Sequence, residues 1–242
     1  VDRAVIDRAA LRQGRGRFPA ALLLLAVAAW AVVVWQATGA DPMDMRPVLF
    51  IGSWTVMMAA MMLPAATPML LTFDRIQAGK RRQGSSAVPT WVFLAGYLLV
   101  WAAFGAVALE ARGLAHWAGL VLEGPAATGA LLALAGLYQF SPLKHACLRW
   151  CRTPLGFVMG HWRDGSAGAL RMGVQHGLYC LGCCWPLFLL FPLGLMNLPA
   201  MLAVTALVSV EKVFPAGPVL ARAAGAGLVV WGLATLVRAT LG

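Results

Sequence analysis

The amino-acid sequence predicts an all-α, polytopic membrane protein with about seven transmembrane helices and a cytoplasmic amino terminus. Three observations carry that expectation. The 242 residues are 61% hydrophobic and only 12% charged, well beyond the balance of a soluble domain. Apolar runs that can cross a bilayer, each roughly 20 residues at the helical rise, recur along the chain. Lys and Arg gather in alternate connecting segments, the asymmetry that orients a membrane-threaded chain.

Residues 1–17 read as a basic cytoplasmic tail (Arg3, Arg8, Arg12, Arg15, Arg17) and residues 18–242 as a single transmembrane helical domain. The first span is expected over Phe18–Ala37. A basic tail, an apolar run and the small residues Thr38-Gly39-Ala40 also fit a cleaved signal peptide, but the run is long for one and an uncleaved span is favoured. A second span is expected over Val48–Phe73 and a third over Thr90–Leu109, with Leu114–Leu122 as a separate interfacial piece. The fourth, Pro125–Phe140, is short. The fifth (Gly173–Met196) and sixth (Leu198–Phe214) are divided at Asn197 and Pro199, because the uncharged stretch Leu178–Val210 is too long for one helix across the bilayer. The seventh is Gly217–Val237. Basic residues follow span two (Arg75, Lys80, Arg81, Arg82) and span four (Lys144, Arg149, Arg152, Arg163, Arg171). These loops are therefore expected in the cytoplasm and the carboxyl terminus outside. On this reading the net charge of +10 is topogenic, and its partner is the anionic lipid surface, not nucleic acid.

Within that frame one run stands out: HGLYCLGCCWP, His176–Pro186, which holds three of the five cysteines. On a helix at about 100° per residue, His176, Cys180 and Cys183 fall within an arc of about 60°, with Cys184 about 40° further round. The first of these thiols is expected about 10 Å inside the span that starts at Gly173, reachable through a shallow cytoplasmic cavity. Pro186 cannot donate to the carbonyl of Gly182, so a kink and a freed carbonyl are expected beside the thiols. Cys147 and Cys151 form an i, i+4 pair on a short helix, Leu143–Cys151, begun by Ser141-Pro142 and stopped by Pro154. Lys144 and Arg149 are expected to favour thiolate there. All five cysteines fall on the reducing side, which argues against structural disulfides and leaves metal ligation, thiol chemistry or plain packing.

Span two carries Met57 and Met61 on one line of the helix and Met58, Met62 and Met69 on a second, all within an arc of about 140°. Met43 and Met45 lie at its outer mouth. Methionine is common core filler, yet a row of thioethers would also pass Cu(I) in weak steps toward tighter thiolates. Glu211-Lys212 reads either as an intramembrane partner of the thiols or as a helix boundary, with the boundary favoured. His145 and His161 could extend the ligand set, although loop histidines are usually solvated. There is no phosphate-binding glycine loop, HExxH helix or serine-nucleophile elbow, so hydrolase and ATPase chemistry have no support.

The stretches AAMMLPAATPM, YQFSPLKHACLRWCRTP, GVQHGLYCLGCCWPLFL and MNLPAMLAVTALVSVEK, within residues 48–212, resemble a bacterial family of predicted metal-binding integral membrane proteins, a domain of unknown function. The matching positions are Met61, Met62, Pro64, Lys144, Cys147, Cys151, His176, Cys180, Cys183, Cys184, Asn197, Glu211 and Lys212. The resemblance implies a polytopic protein of the bacterial inner membrane with a metal site, described in places as copper-related. It departs from the family pattern after CCW, where Pro186-Leu187-Phe188 stands in place of a small residue, Leu and Met.

Three functions are compatible with these residues. In the first, Cys147, Cys151, His176, Cys180, Cys183 and Cys184 hold or move a metal ion, with copper favoured and zinc the alternative. Met57, Met58, Met61, Met62 and Met69 then serve as its path, Lys144, Glu211 and Lys212 as support, and a soluble metallochaperone or membrane complex as its partner. In the second, the thiols form a membrane thiol–disulfide carrier. In the third, the chain is a scaffold or assembly factor. A non-enzymatic role is favoured.

Overall fold

A computed structural model describes residues 3–36, 46–119, 124–189 and 197–241. Every element among them is helical: α1 (Arg3–Gln36), α2 (Pro47–Arg82), α3 (Thr90–Trp117), α4 (Pro125–Tyr138), α5 (Pro142–Arg152), α6 (Pro154–His161), α7 (Gly165–Leu189), α8 (Leu198–Val213) and α9 (Gly217–Leu241). Four of these stretches are long and apolar enough to cross a membrane: Phe18–Gln36, Pro47–Arg82, Thr90–Trp117 and Gly217–Leu241. The pair α4 and α5, bent by 64° at a short break, makes a fifth if it is one broken span. The all-α, membrane-type fold is therefore as expected, with four to five spans by length and composition.

Local signals place most boundaries. Ser141 caps α5, its hydroxyl accepting from the Lys144 amide at 3.1 Å, and Pro142 opens the helix. Asn197 caps α8 in the same way, its Oδ1 accepting from the Ala200 amide at 2.8 Å. Both are short polar side chains satisfying amides that have no helical acceptor. The division of the long uncharged stretch at Asn197 and Pro199 thus holds at its α8 side. The Met196 end of span five, the Thr38-Gly39-Ala40 site, and Met43 and Met45 lie outside the described residues.

Three expectations change. The start of the expected interfacial piece Leu114–Leu122 is not separate: Leu114–Trp117 is the last turn of α3, while residues 120–122 lie outside the described residues. The basic loop between spans four and five is largely helical: Pro154 both ends α5 and opens α6, since a proline has no amide to leave unpaired at a first turn. The helix bearing the thiols starts at Gly165, not Gly173.

The longest helix, α2, runs about 54 Å, packs against α1, α3 and α8, and buries the methionines at the centre of the molecule. Helix α7 packs on α3 and α5. Glycines set the α3–α7 distance: a methyl group at Gly173 would fall on the Phe93 carbonyl, and one at Gly96 on the Leu170 carbonyl. The α4–α9 pair uses the same device, since a Cβ at Gly136 would lie 2.6 Å from the Gly225 carbonyl oxygen. Small residues that let backbones touch are the usual means of joining helices that share no hydrophobic driving force in lipid.

Candidate metal centre

Five helices converge on the thiols. Cys180, Cys183 and Cys184 of α7 are each 1% exposed, and Cys151 of α5 is buried with them. These four cysteines belong to one buried cluster. The thiols of Cys183 and Cys184 donate to the Cys180 carbonyl at 3.0 and 2.8 Å. Cys147 stands slightly apart and is half-buried; its sulfur lies against the α7 backbone, where a Cβ at Gly182 would come within 2.7 Å of it. All five cysteines are free. The cytoplasmic cavity expected beside them is replaced by a packed junction in which Cys147 is the more accessible sulfur. The earlier start of α7 puts Cys180 about 22 Å along that helix.

The charges are arranged differently from expectation. Lys144 does not serve the thiols: its ammonium pairs with Glu211 Oε2 at 2.7 Å, with side chains 0% and 1% exposed. Arg149 lies over the Trp150 ring, 5.3 Å from its centroid. The cation at the sulfurs is Lys212, whose Nζ donates to Cys180 Sγ at 2.9 Å. Glu211 and Lys212 do stand in the last turn of α8, at the helix boundary, but as two buried charges with separate partners. A buried pair of this kind persists only where both members are matched. Arg152 ties the end of α5 to the end of α8, donating to the backbone carbonyls of Glu211 and Pro215.

His176 is 2% exposed, and its ring is walled by Phe93, Tyr97 and Phe157 at centroid distances of 6.0, 5.8 and 5.3 Å. Its Nδ1 is buried with no hydrogen-bond partner, an orphaned lone pair or N–H of the sort that a native fold seldom leaves. His161 is held by α6, its Nδ1 at 3.1 Å from the Phe157 carbonyl oxygen, with Trp150 and Tyr179 around it. His145 is half-buried on α5.

Sequence reasoning missed the tyrosines. The chain has three, and all three stand at this junction. Tyr97 of α3 makes a 3.0 Å hydrogen bond between its hydroxyl and Cys180 Sγ. Tyr138 of α4 donates to the Gly182 carbonyl, the one that Pro186 leaves without a helical donor. Tyr179 stacks on Trp150. A rare polar-tipped aromatic in an otherwise apolar span was the available signal, because a buried tyrosine hydroxyl must find a partner.

The methionines of α2 are all buried: Met58, Met61 and Met62 at 0%, Met69 at 1% and Met57 at 3%. They belong to the same continuous apolar cluster as the four buried thiols. Helix α2 meets α3 and α8, the helices that bring Tyr97 and Lys212 to Cys180.

The donor set is soft, with four thiols and an unpartnered imidazole nitrogen; the nearby Glu211 carboxylate binds Lys144 through Oε2, while its Oε1 is buried with no hydrogen-bond partner. Among the described residues no three Cys, His, Asp or Glu side chains are yet set around one point as a finished metal site. The class so defined is an all-helical, membrane-type protein with a buried, charge-balanced sulfur junction. A family model described as PpoB2, copper chaperone, matches residues 51–235, a stretch that holds every thiol, the methionine stripe and the three buried charges. The chain belongs to this copper chaperone family, and its function is copper-related. No curated protein and no solved structure matches it.

Proposed function

We propose that this protein is a membrane copper chaperone that takes Cu(I) onto the α5–α7 thiols. Cys151, Cys180, Cys183 and Cys184 are the ligand pool, Cys147 the accessible thiol at its edge, and His176 a further donor. The observation that carries the reading is the burial of four thiols in one cluster, with Lys212 at 2.9 Å from one of them. Burying thiols beside a cation is costly to arrange for packing alone and suits ions that prefer soft ligands. Cuprous ions accept two thiolates, whereas structural zinc takes four closed ligands; a pool without a preset three-ligand arrangement favours copper. Met57, Met58, Met61, Met62 and Met69 form a weak thioether relay toward the pool. The chain threads the bacterial inner membrane with about seven spans and a cytoplasmic amino terminus, and exchanges copper with a soluble metallochaperone or a membrane complex.

The test is anaerobic purification followed by competition for Cu(I) against a chromophoric chelator. The wild type is expected to bind copper stoichiometrically, and Cys180→Ser/Cys183→Ser to weaken it by at least about 100-fold. Wild-type protein that fails to take Cu(I) from a weak chelator sinks the proposal. A Cys180–Cys183 or Cys151–Cys180 disulfide that cycles with reductant, with no metal bound, would point to the thiol–disulfide carrier instead.

A further inference from the structure

Lys212 raises a question that copper binding alone does not answer: why a lysine, and not an apolar residue, should be 6% exposed against a thiol. An ammonium has three donors and no acceptor, and its donation to Cys180 Sγ converges on the sulfur that also shares a hydrogen bond with the Tyr97 hydroxyl. The charges beside it cancel. Lys144 and Glu211 pair at 2.7 Å and offset each other in charge, so Lys212 is left as the net charge hydrogen-bonded to a sulfur.

We propose that Lys212 is a specificity-determining residue that selects a monovalent over a divalent ion; this rests on the copper reading above. Two thiolates and one Cu(I) make a centre of charge −1, with the thiol protons released to solvent, and Lys212 brings the buried assembly to zero. Two thiolates and one Zn(II) make a neutral centre, and Lys212 then stands uncompensated beside it. A divalent ion regains neutrality only by recruiting a third thiolate, for which no three-ligand arrangement is set among the described residues. A net charge in a low-dielectric interior is far more costly than one in water. The lysine therefore costs little with Cu(I) and much with Zn(II).

The experiment measures Cu(I) and Zn(II) affinities by chelator competition for the wild type, Lys212→Met and Lys212→Arg, with a thermal melt of each apoprotein to confirm folding. Lys212→Met is expected to lower the Cu(I)/Zn(II) affinity ratio by at least about tenfold, because it weakens the first and strengthens the second. Lys212→Arg, which keeps the charge on a different shape, is expected to retain most of the ratio. An unchanged ratio in Lys212→Met, or an equal loss for both ions, overturns the inference while leaving the copper proposal standing. If Lys212→Met does not fold, loss of the ratio in a folded Lys212→Arg overturns it. Wild-type protein that binds neither ion removes both.

Discussion

Sulfur is concentrated in two regions of this molecule, the methionine stripe of α2 and the cysteine face of α7, and the two are built on opposite terms. The methionines are buried among apolar side chains; each is also what a close-packed core would choose to fill an irregular gap. The cysteines are equally buried but surrounded by groups that are expensive to bury: Lys212 on a sulfur, the Lys144–Glu211 pair one residue away along α8, and the unpartnered His176 nitrogen. Burial alone therefore does not separate a functional sulfur from a structural one. What separates them is the cost of the neighbourhood.

The largest expected effect breaks the costly side of the comparison. Lys144→Met leaves Glu211 buried without its cation, and a loss of about 3–5 kcal/mol in unfolding free energy is expected in detergent. Lys144→Met/Glu211→Leu should recover most of it, since removing both charges also removes their desolvation cost. A double variant as unstable as the single one would mean that the pair itself, not the orphaned carboxylate, holds α5 to α8.

A smaller effect is expected on the inexpensive side. Met61→Leu/Met62→Leu conserves volume and should cost under about 1.5 kcal/mol per site. If the stripe is a relay, equilibrium Cu(I) affinity stays as in the wild type while the rate at which externally supplied Cu(I) reaches the thiols in proteoliposomes falls. An unchanged rate assigns the methionines to packing.

The smallest concerns a charged contact outside both regions. Asp164 accepts from Lys80, which also lies 4.7 Å from the Trp162 ring centroid, and from the Trp162 indole at 3.1 Å. The Lys80 hydrogen bond, and then that of Trp162, hold the Asp164 carboxyl below the usual carboxylate range. A depressed folded-state value adds stability above the unfolded value of about 3.9, and the gain is lost as pH falls through the lower folded value. The carboxylate is exposed, so the contribution is small and salt-screened. Asp164→Asn should melt slightly below the wild type at pH 7, and the gap should close below about pH 4.

Much of this was legible in the chain. Apolar runs foretold the helices, Ser141-Pro142 and Asn197 foretold two helix starts, and Pro186 foretold a Gly182 carbonyl without a helical donor, which Tyr138 satisfies. The 176/180/183/184 spacing foretold one sulfur-bearing face. These are local matters of period, capping and proline chemistry, and they are written in neighbouring residues. The charge partners were not legible. Lys144 lies three residues from Cys147 in sequence yet pairs with Glu211, 67 residues away, while Lys212, 32 residues beyond Cys180, reaches its sulfur. Adjacent charges on a helix such as Glu211 and Lys212 point about 100° apart, so each meets a different neighbour. Which neighbour that is depends on how α5, α7 and α8 pack, and only the tertiary structure decides it.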